Sequence, residues 1–165
     1  MQSNFCTISG SAPKKSLYSI DERDISFIRF KYRLNEELIS LHKQQNVTDF
    51  ICSCERGLPL WAAEAVLSLK LLYPVRLNIS IPYEDQATKW TEPWRNRYFS
   101  IHEKADSIVF INKQYSDICY SECDKYMIDN SDMLLWVGDE PSDIVGYARE
   151  KHNPVISINT EDIQL

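Results

Sequence analysis

No stretch of this sequence approaches the roughly twenty consecutive apolar residues that a membrane span needs, and the N-terminus lacks a signal-peptide pattern. Both absences point to a cytosolic, cytoplasmic protein without a membrane partner. Positive charge is also in short supply. Eighteen Lys and Arg stand against 24 Asp and Glu, a formal net charge of −6. Nucleic acid and anionic membranes bind basic patches and gain affinity by counterion release. Here the densest basic feature is the pair Lys14–Lys15, so nucleic acid is not an expected partner. The five cysteines are odd in number and have no secretory context, which predicts reduced thiols rather than a disulfide framework. Histidines are few: His42, His102 and His152 fall toward the ends of predicted helices, where a protonated ring complements the dipole. None belongs to a recognisable Ser or Cys nucleophile motif, so the sequence gives no support to triad hydrolysis.

What is present is ordinary for a folded domain: 44% hydrophobic and 25% charged residues over a length of 165, enough to bury one core. A single domain over residues 1–165 is expected. Short β-branched runs alternate with helical stretches, the signature of a parallel sheet covered on both faces. Six strands are predicted, at Phe5–Ser9, Asp49–Cys54, Val75–Ile81, Ser107–Asn112, Met133–Val137 and Val155–Ile158. Phe27, Phe30, Leu34, Leu38 and Leu41 recur at helical steps. Leu60–Leu72 is apolar nearly all round, which predicts deep burial or a subunit contact. Trp90, Trp94, Tyr98 and Ile101 form a third stripe, on a helix that Pro93 requires to begin near it. Further helices are predicted over Tyr115–Asp129 and Ser142–Lys151.

The fold class is therefore α/β: a Rossmann-like three-layer sandwich with a mainly parallel, doubly wound sheet of about six strands. Ile8, Ile51, Ile79, Val109, Leu135 and Ile156 are expected to be buried in central strands. The commonest doubly wound order sets the first and fourth strands side by side, with ligands at their carboxyl ends. The loops to inspect are then Gly10–Lys15, Ser53–Pro59, Pro82–Gln86, Asn112–Gln114 and Gly138–Ser142.

The run Leu60-Trp61-Ala62-Ala63-Glu64-Ala65-Val66-Leu67 is the most distinctive, followed by Leu71-Leu72-Tyr73-Pro74 and Ile81-Pro82-Tyr83-Glu84-Asp85-Gln86. With Ala105-Asp106, Tyr126 to Asp132 and Gly146-Tyr147-Ala148 in the same register, the chain resembles the YpsA-like branch of the SLOG superfamily over about residues 5–159. The resemblance implies a Rossmann-like sheet whose glycine-rich loops hold nucleotides or nucleotide-derived ligands; some members are sensors and some cleave N-glycosidic bonds. This sequence departs from the pattern in those loops. Gly10-Ser11-Ala12-Pro13 stands where the family reads Gly-His-Arg-Pro. Ser53-Cys54, Gly57 and Pro59 stand where it has a Gly-Gly pair, a third Gly and an Asp. Cys123-Asp124 replaces an Arg-Asn pair, and the Gly-Gly-Thr after the fifth strand gives way to a shortened loop carrying Asp139 and Glu140. Lost glycines remove close backbone approach to a phosphate, and new carboxylates repel it.

The candidate ligand residues are accordingly Gly10, Ser11, Ser53, Cys54, Gly57, Tyr83, Gln86, Asn112, Gly138 and Asp139. Tyr83 offers a ring to stack on a base, and Gln86 an amide to read its edge. Glu64 is the one weak catalytic candidate, as a helix-borne acid or base, set against a structural charge near a helix start. Cys52 with Cys54, and Cys119 with Cys123, each predict a shared face, but a one-residue spacer is short for structural zinc; no metal or cofactor is expected. The leading expectation is a non-catalytic binding or regulatory domain for a nucleotide-derived or other small ligand. An N-glycosidic or phosphoribosyl-bond hydrolase using Glu64, Asp139 or Glu140 is the enzyme alternative. A homo-oligomeric interaction module, built on the Trp61 helix or the Trp90/Trp94 stripe, is the third.

Overall fold

A computed structural model of the chain describes residues 3–11, 20–139 and 142–159. Ala12, Pro13, the pair Lys14–Lys15 and Glu140 lie outside the described residues. Six strands and five helices alternate along the chain: β1 (Phe5–Gly10), α1 (Ile25–Gln45), β2 (Asp49–Cys52), α2 (Leu58–Leu69), β3 (Arg76–Ile81), α3 (Glu92–Lys104), β4 (Ser107–Phe110), α4 (Cys119–Asp129), β5 (Met133–Val137), α5 (Asp143–Glu150) and β6 (Val155–Ile158).

All strand pairings are parallel, in the order β4-β3-β2-β1-β5-β6. The order corrects the expected neighbour of β1, which is β5 and not β4. Three successive connections carry the chain outward in one direction, through β2 and β3 to β4, before it returns across the sheet. The fourth strand is therefore spent on the far edge, and the fifth lands beside the first. The burial expectation changes with it. Ile8, Ile51, Ile79 and Leu135 are buried, whereas Val109 on edge strand β4 is 36% exposed and Ile156 on edge strand β6 is only half-buried.

The alternation of side chains along each strand sends two sets of residues to opposite faces. Cys6, Ile8, Phe50, Cys52, Leu77, Ile79 and Ile81 join residues of α1, α2 and α3 in the larger core. Ile51, Leu134 and Trp136 join residues of α4 and α5 in the smaller one. Phe27 and Phe30 of α1, Trp61 of α2 and Trp94 of α3 meet in one aromatic cluster, with Trp61 at its centre (ring centroids 4.7, 6.1 and 6.4 Å). Helix α1 begins on Asp24, whose carboxylate accepts from the Ser26 N–H at 2.8 Å. It ends on Asn46 in the left-handed conformation, φ 55°, a residue type that tolerates that region.

The cysteine pairs do not converge. Cys54 lies past the end of β2 rather than on it, with a φ of 59°. Cys52 and Cys54 belong to the larger core and Cys123 to the smaller, on the other side of the sheet. All five thiols are buried and free, and burial raises the Cys6 thiol to about 12.

Candidate functional site

In a parallel sheet the strand ends leave their last carbonyls and the following loops at one rim, and ligand sites gather there. At that rim the ten predicted ligand residues are spread over the ends of five strands. Gly10 ends β1, Ser11 follows it, and Gly138 and Asp139 follow β5, at the point where the chain's direction of travel across the sheet reverses. Ser53, Cys54 and Gly57 follow β2. Tyr83 and Gln86 follow β3, and Asn112 follows edge strand β4.

The residues at the ends of β1 and β5 are tightly packed. A Cβ added to Gly10 would stand 1.9 Å from Leu58 Cδ2 and 2.3 Å from the Val137 carbonyl, and one added to Gly138 would stand 2.4 Å from the Ser11 hydroxyl. The Ser11 N–H donates to the Val137 carbonyl and the Gly138 N–H to the Ile158 carbonyl. Gly10 is thus glycine for lack of room, with a leucine side chain against it. Gly57 caps α2 with a φ of 88°, a conformation that favours glycine. Cys54 carries a side chain in the left-handed region at a place where the family resemblance implies a glycine.

The group beyond β3 borders open space. A cavity of about 520 Å³ is lined by Arg56, Tyr83, Asp85, Gln86, Thr88, Lys89, Trp90, Gln114, Tyr115 and Tyr120, within the size range of small-molecule sites. Tyr83 meets Tyr115 and Tyr120 edge to face, at ring centroids of 5.5 and 6.2 Å. The Arg56 guanidinium lies over the Trp90 ring at 4.9 Å. Glu55 ties three of the lining residues together: its carboxylate accepts from the Tyr120 hydroxyl at 2.8 Å, from Gln86 Nε2 at 3.0 Å and from the Arg56 N–H at 2.8 Å. Burial first, and then the Glu55 charge, push the Tyr120 phenol well above its ordinary value, so it stays protonated and donates. Burial, followed by the neighbouring Cys54, Glu55 and Tyr83 groups, does the same to Tyr98.

Three buried polar atoms in this region have no hydrogen-bond partner among the described residues: Gln86 Oε1, Tyr98 Oη and Asn112 Nδ2. Such atoms carry a desolvation cost of about 1–3 kcal/mol each; of the three residues only Gln86 lines the cavity. Of the ten residues singled out from the sequence as ligand contacts, Tyr83 and Gln86 line this cavity and Asn112 does not; Arg56, Trp90, Tyr115 and Tyr120 line it without having been among the ten. Glu55 and Arg56 do lie inside the Ser53–Pro59 loop singled out from sequence. The remaining signal was the recurrence of Tyr and Trp in the segments after the third and fourth strands.

Glu64 lies elsewhere, on α2 facing α3. Arg97 binds its carboxylate through two nitrogens at 2.7 and 2.8 Å, and also holds Glu22 at 2.6 and 3.0 Å. Those bonds, the one to Glu64 first, push the guanidinium further up. Asp124, absent from the sequence candidates, is a half-buried carboxyl on α4; burial, helped by the charge of Asp143, raises it to about 6. Among the described residues no group of three or more His, Cys, Asp or Glu is placed to hold a metal ion, and no helix is long and apolar enough to cross a membrane.

Comparison with known proteins agrees with this architecture. The sequence profile of the family described as the YspA SLOG family (YpsA) matches residues 7–153. A UPF0398 protein of Halalkalibacterium halodurans is 31% identical over 138 residues, 81% of this chain and 71% of that protein. One from Brevibacillus brevis is 32% identical over 126 residues, covering 74% of this chain and 66% of that protein. One from Listeria monocytogenes serotype 4a is 38% identical over 94 residues, 54% of this chain and 50% of that protein. The chain thus spans between half and about seven-tenths of the length of these relatives.

Proposed function

The chain belongs to the YpsA family of SLOG proteins, and from that premise we propose that it is a non-catalytic, cytoplasmic binding or regulatory domain for a nucleotide-derived or other small molecule. The observation that carries this reading is the aromatic cavity at the carboxyl ends of the strands, lined by Tyr83, Trp90, Tyr115 and Tyr120. The alternative of N-glycosidic or phosphoribosyl-bond hydrolysis through Glu64 is disfavoured by the two bonds Arg97 makes to that carboxylate, which give it a structural role between α2 and α3. Thermal-shift screening against nucleobases, nucleosides and nucleotides tests the proposal. A ligand that binds the native state raises the melting temperature by mass action. The expected result is a saturable rise with at least one of them; a flat response across all three classes refutes a nucleotide-derived ligand.

Self-association is part of the same proposal, and its place is the β4 edge. Ser107–Phe110 carries no charge or proline to blunt the edge, and Val109, Phe110, Tyr115 and Ile118 are 36, 49, 61 and 62% exposed.

A further inference from the structure

Apolar exposure at the β4 edge falls on both faces of the sheet. Ile108 pairs with Ile79 and packs on the larger core, whereas Ile111 packs on the smaller one. The alternation of a strand therefore sends Phe110 to the α3 side and Val109 to the α4 side. Each side has a further exposed apolar surface: Phe99 of α3, 54% exposed, on the first, and Tyr115 and Ile118, just ahead of α4, on the second. A partner lying on one face of the sheet covers only one of these sets. A strand added in the plane of the sheet covers both, and takes up the backbone groups that an edge leaves unpaired.

The charges around the strand select how a second copy fits. Asp106 precedes β4, held by Lys70 and by the Leu77 N–H, and the exposed Lys113 follows it. Parallel pairing of two β4 strands sets like charge beside like. Antiparallel pairing about a two-fold axis at Val109 aligns each residue with the one equally far beyond the axis. Asp106 of one copy then comes opposite Asn112 of the other and next to its Lys113, a favourable cross-strand neighbour. The same alignment sets Lys104 and Ala105, the turn from α3 into β4, against Gln114 and Lys113. Gln114 and Tyr115 line the cavity beside Tyr83 from the β4 side.

We propose that two copies join their β4 strands antiparallel, merging two six-stranded sheets into one, and that the α3–β4 turn of each copy closes the other's cavity at Gln114 and Tyr115. The inference rests on the reading that the chain self-associates at β4. It goes further by fixing the direction and register of the pairing, and by making the second copy part of the small-molecule site. Binding and assembly are then linked: whatever fills the closed cavity favours the dimer, by as much as its affinities for the closed and open forms differ.

Hydroxyl-radical footprinting read by mass spectrometry tests it, on the wild type and Val109→Lys, with sedimentation velocity of the same samples. The wild type is expected to sediment as a dimer and Val109→Lys as a monomer. Phe99 and Phe110 on one side of the sheet, and Tyr115 and Ile118 on the other, should label roughly threefold more slowly in the wild type, as residues covered by an interface do. Ile25 and Tyr32 on α1, exposed away from β4, should label equally in both. Lys113→Glu, which sets like charges together, should weaken the dimer roughly tenfold at low salt. Slow labelling confined to one side of the sheet overturns the strand pairing. A dimer whose Tyr115 labels as fast as the monomer's overturns the closure of the cavity, and one that Lys113→Glu leaves unweakened overturns the antiparallel register; both results leave self-association at β4 standing. A wild type that stays monomeric, or a dimer that Val109→Lys leaves intact, overturns this inference and the β4 reading together, and leaves the small-molecule reading untouched.

Discussion

Asp124 shows what burial without a cation does to a carboxyl. Its pKa is raised from 3.8 to about 6, by desolvation first and then by Asp143. The folded state therefore holds a proton that the unfolded chain releases. Below about pH 4 both states are protonated and the group is neutral with respect to stability. As pH rises to about 6 the unfolded chain ionises first, and stability falls. Asp124→Asn removes that dependence, and the variant is expected to be more stable than wild type at pH 7.5 by about 2 kcal/mol, given 1.4 kcal/mol per pK unit and some solvent screening. At pH 4 the two should be nearly equal. Urea denaturation at both pH values measures this, and a stability difference that does not change with pH would contradict it. Tyr83 and Gln86 were readable in the sequence because they follow a recognisable buried strand. Glu55, Tyr115 and Tyr120 were not, because their meeting depends on β2, β3 and β4 lying side by side and on hydrogen bonds between residues 31 and 65 positions apart.

At the scale of elements, α2 resolves the ambiguity of its own sequence. A helix apolar nearly all round is either buried or at a subunit contact, and here the chain itself supplies the cover, with α1 on one side, α3 on the other and β1 to β3 beneath. Leu71 and Leu72, which the sequence suggested would continue the helix, lie past its end and are 85 and 80% exposed. Trp61 sits at the centre of this packing, 2% exposed, between Phe27, Phe30 and Trp94. Trp61→Ala is expected to cost about 3–5 kcal/mol, a large part of the 5–15 kcal/mol typical of a whole domain. The check is a lowered urea midpoint with unchanged m-value. A cost below about 1 kcal/mol would mean that the cluster is not packed as described. Periodicity made the strands and helices legible to within a few residues, since buried parallel strands read as apolar runs. The clearest overreach was the fourth helix, expected from Tyr115 and observed from Cys119.

For the whole molecule, the exposed, uncharged β4 edge predicts self-association that depends on concentration. Light scattering of the wild type at micromolar concentration should exceed the monomer mass, and Val109→Lys, which puts a charge on the edge strand, should restore it. A wild type that stays monomeric refutes the assignment. Strand order was the part of the fold that the sequence hid: periodicity reports which segments are strands, while the placement of β5 beside β1 is settled by how far the chain travels before it turns back. That placement also bears on how the protein folds. From β1 to β4 each strand docks on the one formed just before it, so the chain can grow this half by short steps. The β1–β5 seam instead joins ends distant along the chain, as the Phe5 N–H bonded to the Asp132 carboxylate 127 residues away illustrates. Loop-closure entropy and high contact order slow such pairings. Amide protons of β5 and β6 should therefore be the last in the sheet to gain protection during refolding, leaving the bare flank of β1 exposed for a time as the place where a newly made chain is most open to misassembly.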